Sequence, residues 1–290
     1  MSFRRPYNEE PGVIWPKWQH WEVPLLRWLA RQGIPVEVCA ATDLHKDQAN
    51  HTNRLGNYRL LVSVGHDEYW SKEMRDNVET FTKRGGNVAF FSGNVCWFQI
   101  RFDLNVTRQI CYKDAGFDPF YDPPDPRQHD LVTVNWWDRP VCRAETGLTG
   151  VSYYGTTDPQ RQYKVRTPNH WVFAGLDAAS KQRFGTYDHG DGNGEQTVVG
   201  NETDKFQPPG SDPCVPHSPG TGFERLAEVS GFNAGTPDES LIVATMALWT
   251  QGKGKVFTSA TLNWSLGLSQ GGGSWNAIDQ ITRNVLNRLG

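Results

Sequence analysis

The stretch Leu60-Leu61-Val62-Ser63-Val64-Gly65-His66-Asp67-Glu68-Tyr69-Trp70 constrains this chain more than any other. Apolar or small β-formers run into Gly65. Then residues able to ionise, donate or accept protons arrive together, and Ser71 opens a helical pattern. A strand this apolar is buried on both faces. Open α/β sheets place their chemistry where such a strand empties into a loop and a helix N-terminus. His66 and Glu68 are two apart, so in an extended segment both side chains point the same way. The plain alternative is a surface loop with a serine cap. A buried strand argues against it and sets His66 and Glu68 at the rim of a sheet.

The flanking pattern extends this reading. Trp18 to Gln32 predicts a helix, with Trp21, Leu25, Trp28 and Leu29 on one face. Pro24 is tolerated only in a first turn, which moves the expected start to about residues 20–22. Ile34 to Cys39 and Arg59 to Gly65 read as strands. Ser71 to Arg84 reads as a helix with Ser71 as N-cap and Met74, Val78 and Phe81 buried. Asn87 to Ser92 is a further apolar strand, and one ending near Tyr7 would complete the first βα unit. Leu131 to Trp136 and Lys164 to Thr167 also read as strands. Leu241 to Leu248 and Lys255 to Ala260 flank a turn at residues 251–254, and Trp275 to Leu289 is an amphipathic helix. The expected architecture is a single α/β domain over residues 1–290. Its core spans about 1–110 and 235–290. A loop- and strand-rich insertion, dense in Pro and Gly, occupies about 111–234.

Composition excludes several classes. The net charge of −3 gives no electrostatic case for nucleic acid. No apolar run approaches the ~20 residues that span a bilayer, so no membrane partner is expected. The first seven residues carry no signal-peptide core, which points to the cytoplasm. Cys39, Cys96, Cys111, Cys142 and Cys214 form no C-x-x-C pair and give no disulfide framework; Cys39 and Cys96 read as packing residues. The 12 tryptophans serve either core packing or aromatic platforms around a pocket.

The strand end at Gly65 offers no Ser or Cys at its apex, so a nucleophile elbow is excluded there. Histidine beside a carboxylate suits a metal, or a general base with its orienting partner. Gly93 at the next strand end permits close backbone approach, and Asn94 can both donate and accept. Asn201-Glu202-Thr203-Asp204 places two acids near the same region. Solvated acids, a turn asparagine and a backbone-bonded histidine are the plain alternatives. Residues 190–194 resemble part of a calcium loop but lack its run of acids and closing glutamate.

Arg5-Pro6-Tyr7, Gly65-His66-Asp67-Glu68-Tyr69-Trp70, Gly85-Gly86-Asn87, Gly93-Asn94, Gly254-Lys255-Val256-Phe257, Asn263-Trp264 and residues 281–286 together resemble one family. It is the C-terminal domain of the N,N-dimethylformamidase large (beta) subunit. The resemblance implies a class I glutamine amidotransferase-like (flavodoxin-like) parallel sheet without the cysteine nucleophile. It implies a mononuclear ferric site with Tyr7 and Glu68 as ligands, His66 beside them, and Asn94 and Glu202 as pocket residues. A second tyrosine ligand is expected upstream of Tyr7. The natural polypeptide is therefore expected to extend into an upstream domain or pair with a small subunit, and a homo-oligomer is also open. The implied activity is hydrolysis of a small amide such as a formamide. The competing class is a non-catalytic domain binding a small molecule or carbohydrate in a tryptophan-rich pocket.

Overall fold

The computed structural model describes residues 17–47, 54–121, 126–188, 192, 194–208, 214, 222–233, 236–270 and 275–290. Tyr7 and the expected first strand lie outside these residues. In chain order the principal elements are α1 (Lys17–Arg31), β1 (Leu60–His66), α2 (Lys72–Arg84), β2 (Asn87–Gly93), β3 (Ser152–Arg161) and β4 (Tyr163–Val165). Then follow β5 (Arg183–Phe184), β6 (Val199–Lys205), β7 (Glu224–Asn233), β8 (Thr236–Gln251), β9 (Gly254–Thr258) and α3 (Ala277–Leu289).

Among the described residues, one seven-stranded sheet runs in the order β1-β2-β9-β8-β7-β4-β5. β2 is parallel to both β1 and β9. From β9 outward every pairing is antiparallel. The fold is thus α/β with a mixed sheet, and the fully parallel expectation fails beyond β9. The reason lies in the turn at residues 251–254. A connection that short makes a hairpin, and a hairpin cannot join parallel strands. Gly252, at φ +63°, supplies its left-handed residue.

β2 shows why the parallel part is covered on both faces. Ala89 and Phe91 pack with Leu25, Trp28 and Leu29 of α1, Phe257 of β9, and Ile281 and Val285 of α3. Val88 and Phe90 pack with Met74, Val78 and Phe81 of α2. Ser71 caps α2 through Met74 N–H, and Gly85 ends it in the left-handed conformation.

Four local expectations are corrected. Pro24 lies inside α1, which begins at Lys17; burial of Trp21, Leu25, Trp28 and Leu29 and the Trp28 Nε1 bond to Asp279 Oδ1 at 2.6 Å outweigh the lost backbone bond. Residues 34–40 form no strand: no partner strand flanks them among the described residues, and Val36 and Val38 are exposed. Residues 132–136 are likewise irregular after a 3₁₀ turn over Pro126–Leu131. Cys142 and Cys214 form a disulfide with Cα atoms 4.7 Å apart, and Cys39 is exposed while Cys96 is buried. A separation of 72 residues leaves no spacing signal for such a pair.

Candidate functional site

β1 ends at His66, and the loop after it sorts its polar residues by direction. Asp67 turns inward: its carboxylate accepts from Ser63 Oγ at 2.6 Å and Trp70 Nε1 at 2.9 Å. Burial nonetheless raises its pKa above the usual range. His66 and Glu68 face the other way together, as their spacing predicts. His66 Nε2 lies 3.1 Å from Glu68 Oε2 and 3.1 Å from Glu202 Oε2. A carboxylate only accepts, so the ring donates from Nε2 to both.

β2 and β6 complete the group. Asn94, just past β2, donates from Nδ2 to Glu202 Oε2 at 3.1 Å and from its backbone N to Asp204 Oδ1 at 2.9 Å. A β-carbon on Gly93 would stand 2.8 Å from Glu202 O and 2.9 Å from Leu262 N. Only glycine lets these three backbones meet. Gly65 has the same role at the α1 contact: its φ is +76°, and a β-carbon there would lie 2.5 Å from that of Trp21. Trp21 stacks on His66 with ring centres 6.3 Å apart and donates from Nε1 to Asn263 Oδ1. Asn94, Cys96, Asn201 and Ala260 all hold left-handed φ between 50° and 64°. Non-glycine residues in that region mark sites whose geometry is imposed by their surroundings.

The electrostatics follow from this crowding. Burial works against a charged imidazole, but the carboxylates of Glu202 and Glu68 outweigh it, and His66 is pushed up to about 9. Burial pushes Asp204 up to about 8 despite the amides of Asn94 and Val95 that donate to it. Glu22 of α1, beside His66 and Asp67, is also raised, chiefly by burial, and its Oε2 is buried without a hydrogen-bond partner. The side chains of His66, Glu68 and Glu202 are 18%, 11% and 26% exposed, so the group opens to solvent on the Glu202 side. An imidazolium shared by two carboxylates can pass a proton either way.

The structure therefore brings together four of the five residues singled out in the sequence: His66, Glu68, Asn94 and Glu202. Tyr7 lies outside the described residues. Asn94 uses its donor capacity on the protein itself, since one of its amide protons is bonded to Glu202. Asp204 is the second of the two acids that the 201–204 stretch placed near this region, though sequence reasoning assigned it no separate role. Glu22 and Trp21 were not singled out as site residues. Both lie on a helix whose apolar face reads as ordinary core.

Among the described residues, no group of three or more His, Cys, Asp or Glu side chains is arranged to hold a metal ion. No helix there is long and apolar enough to cross a membrane.

Fold and site together define an α/β domain whose sheet edge carries a carboxylate–imidazole–amide constellation. The family model for the N,N-dimethylformamidase beta subunit-like C-terminal domain matches residues 1–279, and the chain belongs to that family. No curated protein matches the chain.

Proposed function

We propose that this domain hydrolyses the C–N bond of a small amide such as a formamide. The observation that carries the reading is the convergence of Glu68 and Glu202 on one nitrogen of His66, in a chain of a dimethylformamidase-related family. In this reading His66 and Glu202 are the proton-handling pair. Nε2–H gives a proton to the departing amine nitrogen, and Glu202 takes one from the attacking water. Asn94 fixes the Glu202 carboxylate, and its Oδ1, buried without a hydrogen-bond partner, remains available to a donor.

The family implies a ferric ion. Glu68 fits it by chemistry, since Fe³⁺ prefers hard anionic oxygen, and Tyr7 is the proposed second donor. A bound ferric ion would acidify water and polarise the amide carbonyl. A class I glutamine amidotransferase-like ancestry, a core interrupted by the 111–234 insertion and a partner subunit belong to the same proposal. The family's description as a beta subunit supports the last.

A second reading, a binding domain, draws on one feature. Half-buried aromatic rings run on from His66. Tyr69 lies 6.4 Å from the imidazole and stacks on Phe98 at 6.0 Å; Trp97 then contacts Phe98, Trp137 and Tyr153. Such a surface suits a flat apolar ligand or the face of a sugar. The deciding experiment incubates purified, iron-analysed protein with formamide, N-methylformamide and N,N-dimethylformamide and measures formate and amine. Turnover abolished by His66→Ala supports hydrolysis. Absence of turnover with iron-loaded protein, together with saturable sugar binding, establishes the second reading.

A further inference from the structure

β6 reaches Asn94 twice. Glu202 takes its side-chain amide, and Asp204 takes its backbone N–H at 2.9 Å. The two carboxylates are placed for different tasks. Glu202 is partly exposed and meets His66 as well. Asp204 is 2% exposed, and its carboxylate receives the successive backbone amides of Asn94 and Val95. Successive N–H groups gathered on one carboxyl group define the local path of a chain. That path is a demanding one. Asn94 stands at φ 50° and Cys96 at φ 57°, in a region L-residues seldom occupy. Asn94 itself is 2% exposed. Its own amide can meet Glu202 only while the turn stays in this conformation.

We propose that Asp204 is the positioning residue of this site. It pins the 94–96 turn in its left-handed form, delivers the Asn94 amide to Glu202, and so holds Glu202 against His66. The catalytic consequence rests on the amide-hydrolysis reading. The positioning itself does not, and its test needs no turnover.

Selective ¹⁵N-asparagine labelling reports on both nitrogens of Asn94, assigned by their loss in Asn94→Ala. In the wild-type protein the Asn94 backbone N–H exchanges with solvent at least about tenfold more slowly than in Asp204→Ala. The Asn94 side-chain pair also loses its hydrogen-bonded shift in that variant. Asp204→Asn keeps an acceptor oxygen in place and stays within about twofold of wild type. Thr203→Val is the matched control: Thr203 is buried on the same strand, and its hydroxyl donates to Val243 O at 2.7 Å. Its Asn94 signals stay within about twofold of wild type. Unchanged Asn94 signals in Asp204→Ala would overturn the proposal. So would equal loss in Thr203→Val, or loss in Asp204→Asn. Should Asp204→Ala fail to fold, Asp204→Ser takes its place: its shorter side chain lacks the carboxyl acceptor, the Asn94 backbone N–H is expected to exchange at least about tenfold faster than in wild type, and unchanged Asn94 signals would overturn the proposal. Missing amidase activity with these shifts intact would sink the hydrolysis reading and leave the positioning role standing.

Discussion

Asn94 and Glu202, 108 positions apart in sequence, are bonded side chain to side chain at 3.1 Å. That bond joins the end of a parallel strand to a strand outside the main sheet. It also brings the second carboxylate to His66.

Glu202→Gln preserves the shape of this joint and removes its charge. A positioned acid–base group contributes roughly 10²–10⁴-fold to rate. The variant is expected to lose at least about 100-fold in formate release with its melting temperature within a few degrees of wild type. Loss of less than about threefold would remove Glu202 from the proton-handling pair.

The stability of the protein is expected to fall as pH rises from 4 to about 8.5. Asp204 in the folded state is pushed up to about 8 from an ordinary 3.8. A raised carboxyl pKa means the folded state holds its proton longer than the unfolded chain does. The associated stability is complete below about 4 and drains away up to about 8. At one pKa step per 1.36 kcal/mol, a decline of at least about 2 kcal/mol is expected. Urea titrations at several pH values check it: the decline should be shallower by at least about 2 kcal/mol in Asp204→Asn, where His66, Asp67 and Glu22, all raised as well, still contribute.

Part of this site was legible in the sequence. The His66–Glu68 spacing predicts a shared direction by period-two geometry. The apolar run before them predicts a strand, and one forms, but among the described residues it stands at the end of the sheet and is half-buried rather than buried on both faces. Glu202 was less legible. It sits on a strand that pairs with β3 in a register broken by shifts, which leaves no clean alternation to read. The antiparallel half of the sheet was hidden differently. Apolar strands look alike in either direction, and only the turn at 251–254 carries the sense. The Pro24 position misled because propensity is local and the burial of Trp21 and Trp28 is not. The disulfide was invisible because pairing depends on where the chain folds, not on spacing.

Gly93→Ala is expected to destabilise the protein by about 1–3 kcal/mol, the usual range for forcing atoms into a filled interior. The added carbon would meet backbone on two sides, at 2.8 and 2.9 Å, and neither can swing away as a side chain would. Urea midpoints of the two proteins measure it. An unchanged midpoint would mean the β2–β6 contact is looser than these distances.

Removing the Cys142–Cys214 bond frees a loop of 72 residues in the unfolded chain. The chain-entropy relation gives about 4 kcal/mol for that length. Cys142→Ser should therefore unfold at markedly lower urea than wild type under oxidising conditions. The difference should vanish in dithiothreitol, where the two proteins have the same free loop.

The meeting of Gly93, Glu202 and Leu262 backbones also dictates when the site can exist. A growing polypeptide that has exposed β1 and β2 holds His66, Glu68 and Asn94 with nothing to close over them. Only after residue 262 has emerged from the ribosome can the three segments lock. Until then the cluster is an open, half-built edge, so the capacity for chemistry waits on a segment far downstream of the one that carries His66.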